Sequence, residues 1–242
     1  MENFNITNYI NGDGFVSQFQ TIICTILYAY RHDYTYLFNP IYKMEHNYAN
    51  HPDFCNDMNE YMNLTHKYQL LKNTEEAHKC GSDIKYTIDH DIDGYVTNEA
   101  LMHIKECFWQ NKDRNVFGNS RLNVVVHVRR PNSHDNRVMG TNTPDEYYLN
   151  LIQKIRNEYR DRNPLFHIHS QGNLESFEVY RNTDTIIKLD TDLRVSFTEM
   201  VAADILIMSA SSFSYIAGYL CEGIVYYMPF WHKPRKQWIH GC

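Results

Sequence analysis

The chain has 242 residues, of which 43% are hydrophobic, and it contains only 10 glycines. This composition excludes an intrinsically disordered chain and a collagen-like repeat, because the apolar content suffices for a core and glycine is scarce. The formal net charge of -6 argues against general affinity for nucleic acid or anionic lipid, but it permits a local anion site.

A glycine turn followed by a long apolar stretch opens the chain. Segment 11–18, NGDGFVSQ, predicts a tight turn that leads into a helix over residues 16–30. Glycines at such a turn let the backbone approach a ligand closely, and Ser17 and Gln18 offer polar groups in the first helical turn. The alternative is a plain strand-to-helix turn, which the local sequence alone favours.

The rest of the first half is less regular. Residues 34–38 and 84–88 are expected to form strands, and residues 97–108 a helix capped by Thr97. Residues 112–121 have the composition of a linker between two halves.

Segment 89–94, DHDIDG, imitates the start of a calcium-binding EF-hand loop. The twelfth position of that loop is Ala100 instead of the glutamate that would chelate the ion. A polar turn is therefore preferred to a calcium site.

The second half alternates strands with helices. Residues 123–129 are a continuous apolar run, which is typical of a strand buried on both faces, and a helix capped by Thr143 follows. Further strands are expected at 165–169, 185–189, 205–208 and 225–228, with helices at 174–180, 195–202 and 213–222. This alternation predicts a parallel, doubly wound sheet with right-handed crossovers.

Polar residues follow the ends of these strands, where open α/β sheets bind their ligands. Arg129 and Arg130 end the most buried strand, which favours an anion ligand over the alternative of a salt bridge. Four serines in segment 209–214 open a helix, where hydroxyls and free N–H groups bind phosphate, although such serines also serve as plain caps. His167 and His169 share a strand face; a metal pair is conceivable, but histidines of the core or cleft are preferred.

Targeting signals are not evident in this sequence. The first residues lack a basic region followed by an apolar stretch, and no run approaches the length of a membrane span. The six cysteines are widely scattered, and Cys24, Cys107 and Cys221 lie in apolar segments that predict burial. A cytoplasmic protein from a reducing compartment is expected.

Three motifs, taken in order, resemble those of the GT-B fucosyltransferases, the group that contains the α-1,2, α-1,6 and protein-O enzymes. Segment 12–18, GDGFVSQ, is similar to their G-x-G-[FY]-x-x-Q turn, and segment 127–130, HVRR, matches their H-x-R-R motif. Segment 203–215, ADILIMSASSFSY, is similar to their strand that ends in S-S-F-S-[WY]. The resemblance implies two Rossmann-type parallel-sheet halves with a cleft between them. Residues 1–115 would form the acceptor side and residues 116–242 the nucleotide-sugar donor side.

The resemblance also implies a GDP-fucose donor, no metal or other cofactor, and roles for single residues. Arg129 would hold the donor β-phosphate and stabilise the leaving nucleotide, while His127 would approach the nucleoside. The other donor-side candidates are Arg130, Ser170, Gln171, Glu199, Ser211, Ser212 and Tyr215. The candidates that line the cleft from the N-terminal half are Gly12, Gly14, Ser17 and Gln18.

The sequence departs from the family pattern in two places. The segment after HVRR differs, so that only position names His134 and Asp135 as candidates for the base that deprotonates the acceptor. The family's acidic residue that reads guanine aligns with Ser196, and the nearby Glu199 is out of register. The base and the sugar of the donor therefore stay open.

The resemblance thus predicts an inverting, metal-independent glycosyltransferase that moves fucose from GDP-fucose to a glycan acceptor. One alternative is a glycosyltransferase with another nucleotide-deoxyhexose donor. The other is a non-catalytic carbohydrate-binding protein of the same fold. Neither nucleic acid nor a membrane is an expected partner.

Overall fold

The computed structural model describes residues 4–47, 50–130 and 143–241. The chain divides into two compact units, Met1–Asp113 and Arg114–Cys242. Each unit contains an entirely parallel sheet, and helices lie between most of its consecutive strands along the chain. The predicted α/β class with two Rossmann-type sheets is confirmed. His134 and Asp135 lie outside the described residues.

The N-terminal unit is built on four short strands. They are β1 (Asn5–Asn8), β2 (Thr35–Phe38), β3 (Gln69–Leu70) and β4 (His78–Cys80). The helices are α1 (Phe15–His32), α2 (Phe54–Met62), α3 (Ile84–His90), α4 (Ile92–Tyr95) and α5 (Asn98–Trp109), with a 3₁₀ turn at Leu64–His66. The strand order is β3-β2-β1-β4, so the winding direction reverses between β1 and β4. The turn at 11–18 therefore follows a strand that borders the reversal.

Helix α1 is the core of this unit. It contacts β1, β2, α3 and α5, and 13 of its 18 residues are buried, including the polar Gln18, Gln20, Thr21 and Thr25. The predicted cap of α5 is confirmed, since the Thr97 side chain accepts a hydrogen bond from the Ala100 backbone N–H at 3.1 Å.

The predicted strand at 84–88 is wrong, because this segment forms α3. Ile84 and Ile88 are buried while the residues between them are at least partly exposed, and a spacing of four matches one face of a helix. The rejected calcium segment, 89–94, runs across α3 and α4 and is not a ligand loop. A run of five residues with isoleucine only at its two ends is too short to distinguish a strand from a helix.

The C-terminal unit is built on six strands. They are β5 (Asn123–His127), β6 (Leu165–Ser170), β7 (Thr185–Leu189), β8 (Ile205–Ile207), β9 (Ile224–Tyr227) and β10 (Ile239–His240). The helices are α6 (Asp145–Glu158), α7 (Leu193–Ala202) and α8 (Ser212–Leu220), with 3₁₀ helices at Arg160–Arg162 and Leu174–Tyr180. All the elements predicted for this half from residue 165 to residue 228 are found.

The strand order of the second sheet is β10-β9-β8-β5-β6-β7. The chain starts in the middle with β5, winds outward to β7, and then returns to the other side of β5 with β8. This is the order of the dinucleotide-binding Rossmann fold, and its reversal lies between β5 and β8. The crevice at the carboxyl ends of these two strands is the expected ligand site.

The two faces of β5 are both covered. Val124, Val126 and Val128 pack into a buried cluster with Tyr148 and Ile155 of α6. The opposite face lies against α7. This double cover explains why β5 is apolar throughout instead of alternating with polar residues.

Two smaller predictions can be checked in this fold. Thr143 does not cap α6, because the helix begins at Asp145 with Pro144 as its N-cap residue and no capping side chain. The predicted burial of Cys24, Cys107 and Cys221 is confirmed. Among the helices that the structure describes, none combines the length and apolarity that a membrane crossing requires.

Candidate functional site

The HVRR and SASSFS segments meet at the reversal of the second sheet. The Nδ1 atom of His127, at the end of β5, is hydrogen-bonded to the Ser209 hydroxyl just after β8, at 2.8 Å. Both residues are buried, and the His127 ring packs on Phe213 with the ring centres 5.4 Å apart. The two motifs, which are about 80 residues apart in sequence, are thus tied together by a direct bond.

His127 is an uncharged group in this structure. Burial is the main cause that lowers its pKa to about 3, and the proximity of Arg129 and of the His169 ring acts in the same direction. A neutral imidazole suits contact with a nucleoside better than contact with a diphosphate, which a cation would stabilise.

The two arginines of the motif have different surroundings. The Arg130 guanidinium pairs with Asp145 at the start of α6, lies 5.5 Å from the centre of the Phe177 ring, and shares Asp145 with the Tyr180 hydroxyl. Arg130 therefore follows the salt-bridge alternative and holds α6 in place. Arg129 is half-buried and lies near enough to His127 for its charge to affect that imidazole.

The serines at the start of α8 make different hydrogen bonds. Ser211 is the N-cap residue and accepts from the Phe213 N–H at 3.3 Å, while the buried Ser214 bonds to the backbone of Ser209. Ser212 is half-buried and is the first residue of the helix. The helix N-terminus next to Arg129's strand offers backbone N–H groups and a positive dipole end to an anion.

Glu199 is the centre of a buried ionic network. Its carboxylate accepts from Lys188 Nζ at 2.6 and 2.7 Å and bonds to His169 Nε2 at 2.7 Å. Burial alone raises the pKa of a carboxyl, but the bonds from His169 and Lys188 outweigh it and hold the Glu199 pKa at about 2. Ser196, which aligns with the guanine reader, bonds to His169 and Thr191. Both oxygens of Glu199 are thus already bound.

Three other donor-side candidates lie in different places. The Ser170 hydroxyl donates to the Val128 carbonyl at 2.6 Å and so ties β6 to the end of β5, and Gln171 is exposed beyond that strand. Tyr215 is fully buried in an aromatic cluster with Trp238 and donates its hydroxyl to the Lys233 carbonyl at 2.7 Å. Tyr215 lies in the first turn of α8, and its ring belongs to this buried cluster.

His167 lies three residues before the carboxyl end of β6 and is paired with Val125 of β5. Its Nε2 bonds to the Asn123 side chain at 3.1 Å, and its ring packs on Phe117. Over the ranges that the structure describes, no group of three or more His, Cys, Asp or Glu side chains is arranged to hold a metal ion.

The glycine turn of the N-terminal unit is fixed by its own polar residues. Asp13 accepts from Asn11 at 2.7 Å and from the Ser17 hydroxyl at 2.9 Å, and Gln18 donates to the Asp13 and Lys43 carbonyls. Gly12 has a φ of +86°, which favours glycine, and its Cα faces the Lys43 side chain. A Cβ at Gly14 would lie 2.4 Å from the His46 ring. The absence of a side chain at Gly12 and Gly14 therefore lets Lys43 and His46 pack closely against the turn.

Lys85 is a polar residue of this turn that the sequence analysis missed. It lies in the first turn of α3, directly after β4, and its Nζ donates to Ser17 Oγ at 3.0 Å. The ammonium group of Lys85 is partly removed from solvent, and this burial lowers its pKa. The segment was predicted as a strand, and a strand would not have placed Lys85 beside α1.

We expect the free energy of unfolding to fall as the pH drops below 6.5. The unfolded imidazoles of His127 and His167 take up protons near that pH, whereas burial holds their folded pKa values at about 3 and about 4. Their contribution is complete above pH 6.5 and is lost toward the folded pKa, by up to about 1.4 kcal/mol per pH unit for each imidazole. Urea unfolding across this range measures the slope.

The variant His167→Asn should flatten that slope because it removes one of the two groups. His240→Asn, at an exposed position, controls for the loss of an imidazole. An equal slope in wild type and His167→Asn would contradict the assignment.

No protein-family model matches the sequence, and no curated protein matches it either. Solved structures of two fucosyltransferases are similar in fold. The NodZ enzyme from Bradyrhizobium has 10% sequence identity and a TM-score of 0.43, with 91% of this chain and 94% of that one covered. The NodZ alpha-1,6-fucosyltransferase soaked with GDP-fucose has 12% identity and a TM-score of 0.45, with coverage of 91% and 93%. POFUT1 in complex with GDP has 11% identity and a TM-score of 0.48, with coverage of 91% and 96%.

Proposed function

We propose that the protein is a glycosyltransferase that transfers fucose from GDP-fucose to a glycan. The donor binds at the reversal of the C-terminal sheet, and the acceptor binds to the N-terminal unit. The observation that carries the proposal is the His127–Ser209 bond, which joins the arginine motif to the start of α8. A guanidinium and a helix N-terminus at one such place form a site for a diphosphate.

The reaction needs positive charge where the nucleotide leaves. The acceptor hydroxyl oxygen attacks C1 of the sugar, the bond from C1 to the phosphate oxygen breaks, and its electron pair leaves with the diphosphate. Arg129 and the N–H groups of α8 stabilise that charge, so no metal ion takes part. The proton of the acceptor passes to a carboxylate or imidazole, for which Asp135 and His134 are the candidates. One direct displacement inverts the configuration at C1.

A different base in the donor is the second candidate. No acidic side chain stands at Ser196, and the Glu199 carboxylate is held by Lys188 and His169. A carboxylate that reads guanine must accept from the base, and Glu199 already accepts two hydrogen bonds from Lys188. A transferase for another nucleotide-linked deoxyhexose would have no need of such a carboxylate.

Thermal unfolding with GDP, UDP and dTDP separates these candidates. A nucleotide at a hundred times its Kd stabilises the folded state by about 2.7 kcal/mol, which corresponds to a rise of about 5–10 °C in Tm for a chain of this size. We expect GDP to give this rise and GDP-fucose to release GDP during turnover. A rise with UDP or dTDP but not GDP would favour the other donor, and no rise with any of them would overturn the donor site.

A further inference from the structure

Three exposed tyrosines follow the carboxyl ends of neighbouring strands in the N-terminal sheet. Tyr42, Tyr9 and Tyr86 come after β2, β1 and β4, which lie side by side in the sheet, and their exposed fractions are 69%, 49% and 65%. Within the part of the chain that the structure describes, none of the three side chains makes a hydrogen bond, ion pair or ring contact. We call these residues the tyrosine patch.

Hydrogen bonds of the Tyr9 backbone and of the residues next to Tyr42 and Tyr86 involve the glycine turn or the adjacent strand end. The Tyr9 N–H donates to the Cys80 carbonyl at 2.9 Å, which joins the chain after β1 to the end of β4. Tyr42 precedes Lys43, whose carbonyl accepts from Gln18 at 2.9 Å. Tyr86 follows Lys85, which donates to Ser17. All three tyrosines are therefore next to residues that are fixed to this turn or to the adjacent strand end.

Polar groups of the turn have bonding capacity left. An ammonium group has three N–H donors, and within the described residues the Lys85 ammonium makes one hydrogen bond, to Ser17. The Asp13 carboxylate accepts both of its bonds, from Asn11 and Ser17, at the same oxygen, Oδ2. A donor and an acceptor next to exposed aromatic rings match the hydroxyl groups and the apolar ring face of a sugar.

The charge of this unit limits the kind of sugar. Residues 1–113 contain 16 Asp and Glu residues against 8 Lys and Arg residues, whereas residues 114–242 contain 13 against 15. The N-terminal unit therefore carries most of the negative charge of the chain. Its field opposes glycans that bear sulfate or carboxylate groups.

We infer that the tyrosine patch and Lys85 bind a neutral oligosaccharide, which is the acceptor of the transfer. The tyrosine rings stack on the sugar faces, while Lys85 donates to sugar hydroxyls and Asp13 Oδ1 accepts from them. The role of this sugar as the acceptor rests on the proposed function. The binding of the sugar by the tyrosine patch does not depend on that function.

A glycan array of neutral oligosaccharides and their sialylated or sulfated counterparts tests the inference with the full chain. We expect capture of neutral glycans, and at least about tenfold weaker capture for the double variant Tyr9→Ala/Tyr86→Ala because two stacking rings are lost. Lys85→Met should weaken capture as well, while Lys85→Arg should keep much of it.

Tyr30→Ala is the matched control. Tyr30 has the same exposed fraction as Tyr9, 49%, but lies at the far end of α1 and bonds to Glu99. Preference for acidic glycans, no capture, or equal loss in Tyr30→Ala and Tyr9→Ala/Tyr86→Ala would overturn the inference. The GDP-induced rise in Tm should be unchanged in these variants. Its absence in the wild-type protein would instead refute the donor site, even if glycans bind.

Discussion

Replacing Arg129 with alanine should lower the rate of GDP release from GDP-fucose by about a hundredfold to a thousandfold. Arg129 comes two residues after the last residue of β5, the strand that borders the reversal of the sheet, and in the proposed reaction the departing diphosphate builds negative charge there. Arg129→Lys should recover only part of the rate, because an ammonium group lacks the planar fork that binds two phosphate oxygens. Steady-state release of GDP measures the rates, and calorimetry with GDP measures donor affinity.

Arg181→Ala serves as the control for a lost arginine. Arg181 belongs to the same unit, is more than half exposed, and its one ion pair with a described residue is with Glu178, three positions away. Its removal should leave both turnover and Tm close to those of the wild type. Equal turnover in wild type and Arg129→Ala would remove Arg129 from the mechanism.

The second large effect concerns stability. Glu199→Gln should lower the free energy of unfolding by about 3 kcal/mol, because it leaves the charge of Lys188 without its partner in a mostly buried place. For a chain of this size the Tm should fall by about 10 °C. Thermal unfolding followed by circular dichroism measures the shift, and Glu178→Gln, at an exposed ion pair, should produce almost none.

The Glu199–Lys188 ion pair also predicts how the difference in unfolding free energy between wild type and Glu199→Gln depends on pH. The Glu199 pKa is about 2 in the folded protein against an ordinary value of 4.5, so the unfolded state binds the proton more tightly. The stabilisation is fully present above pH 4.5 and is lost as the pH falls through about 2. The difference in unfolding free energy between wild type and Glu199→Gln should therefore narrow only below pH 4.5, and most of it should be lost by pH 2. A gap that closes near neutral pH would contradict the role of this carboxylate.

The C-terminal unit could be predicted from sequence because its strands are continuous apolar runs separated by turn residues. A strand such as β5 is covered on both faces, and that leaves a clear pattern in the residues. Fewer elements of the N-terminal unit could be predicted from the sequence. Strands β3 and β4 have two and three residues, mostly exposed, and such short polar strands leave no periodicity to detect. The error at 84–88 arose because a five-residue segment is too short to separate a helical spacing from a strand.

The candidate site could be predicted to the level of segments but not of side chains. Parallel strands end at one edge of a sheet, so HVRR and SASSFS were expected at that edge. The different surroundings of Arg129 and Arg130 depend on where α6 places Asp145, which no local pattern shows. The engagement of Glu199 depends on Lys188, eleven residues earlier on another element. Tyr215 fits its motif, yet the aromatic chain end that buries it lies outside the motif.

The bond between His127 and Ser209 spans 82 positions of the chain. Loop closure over such a distance is entropically costly, so contacts of this kind form late when the sheet folds. While the protein is being synthesised, a chain that has reached β7 holds three of the six strands of this sheet and only one wall of the crevice. On the proposed function, nucleotide binding therefore begins only after β8 has been inserted beside β5, and the donor would stabilise chains in which both strands are in place.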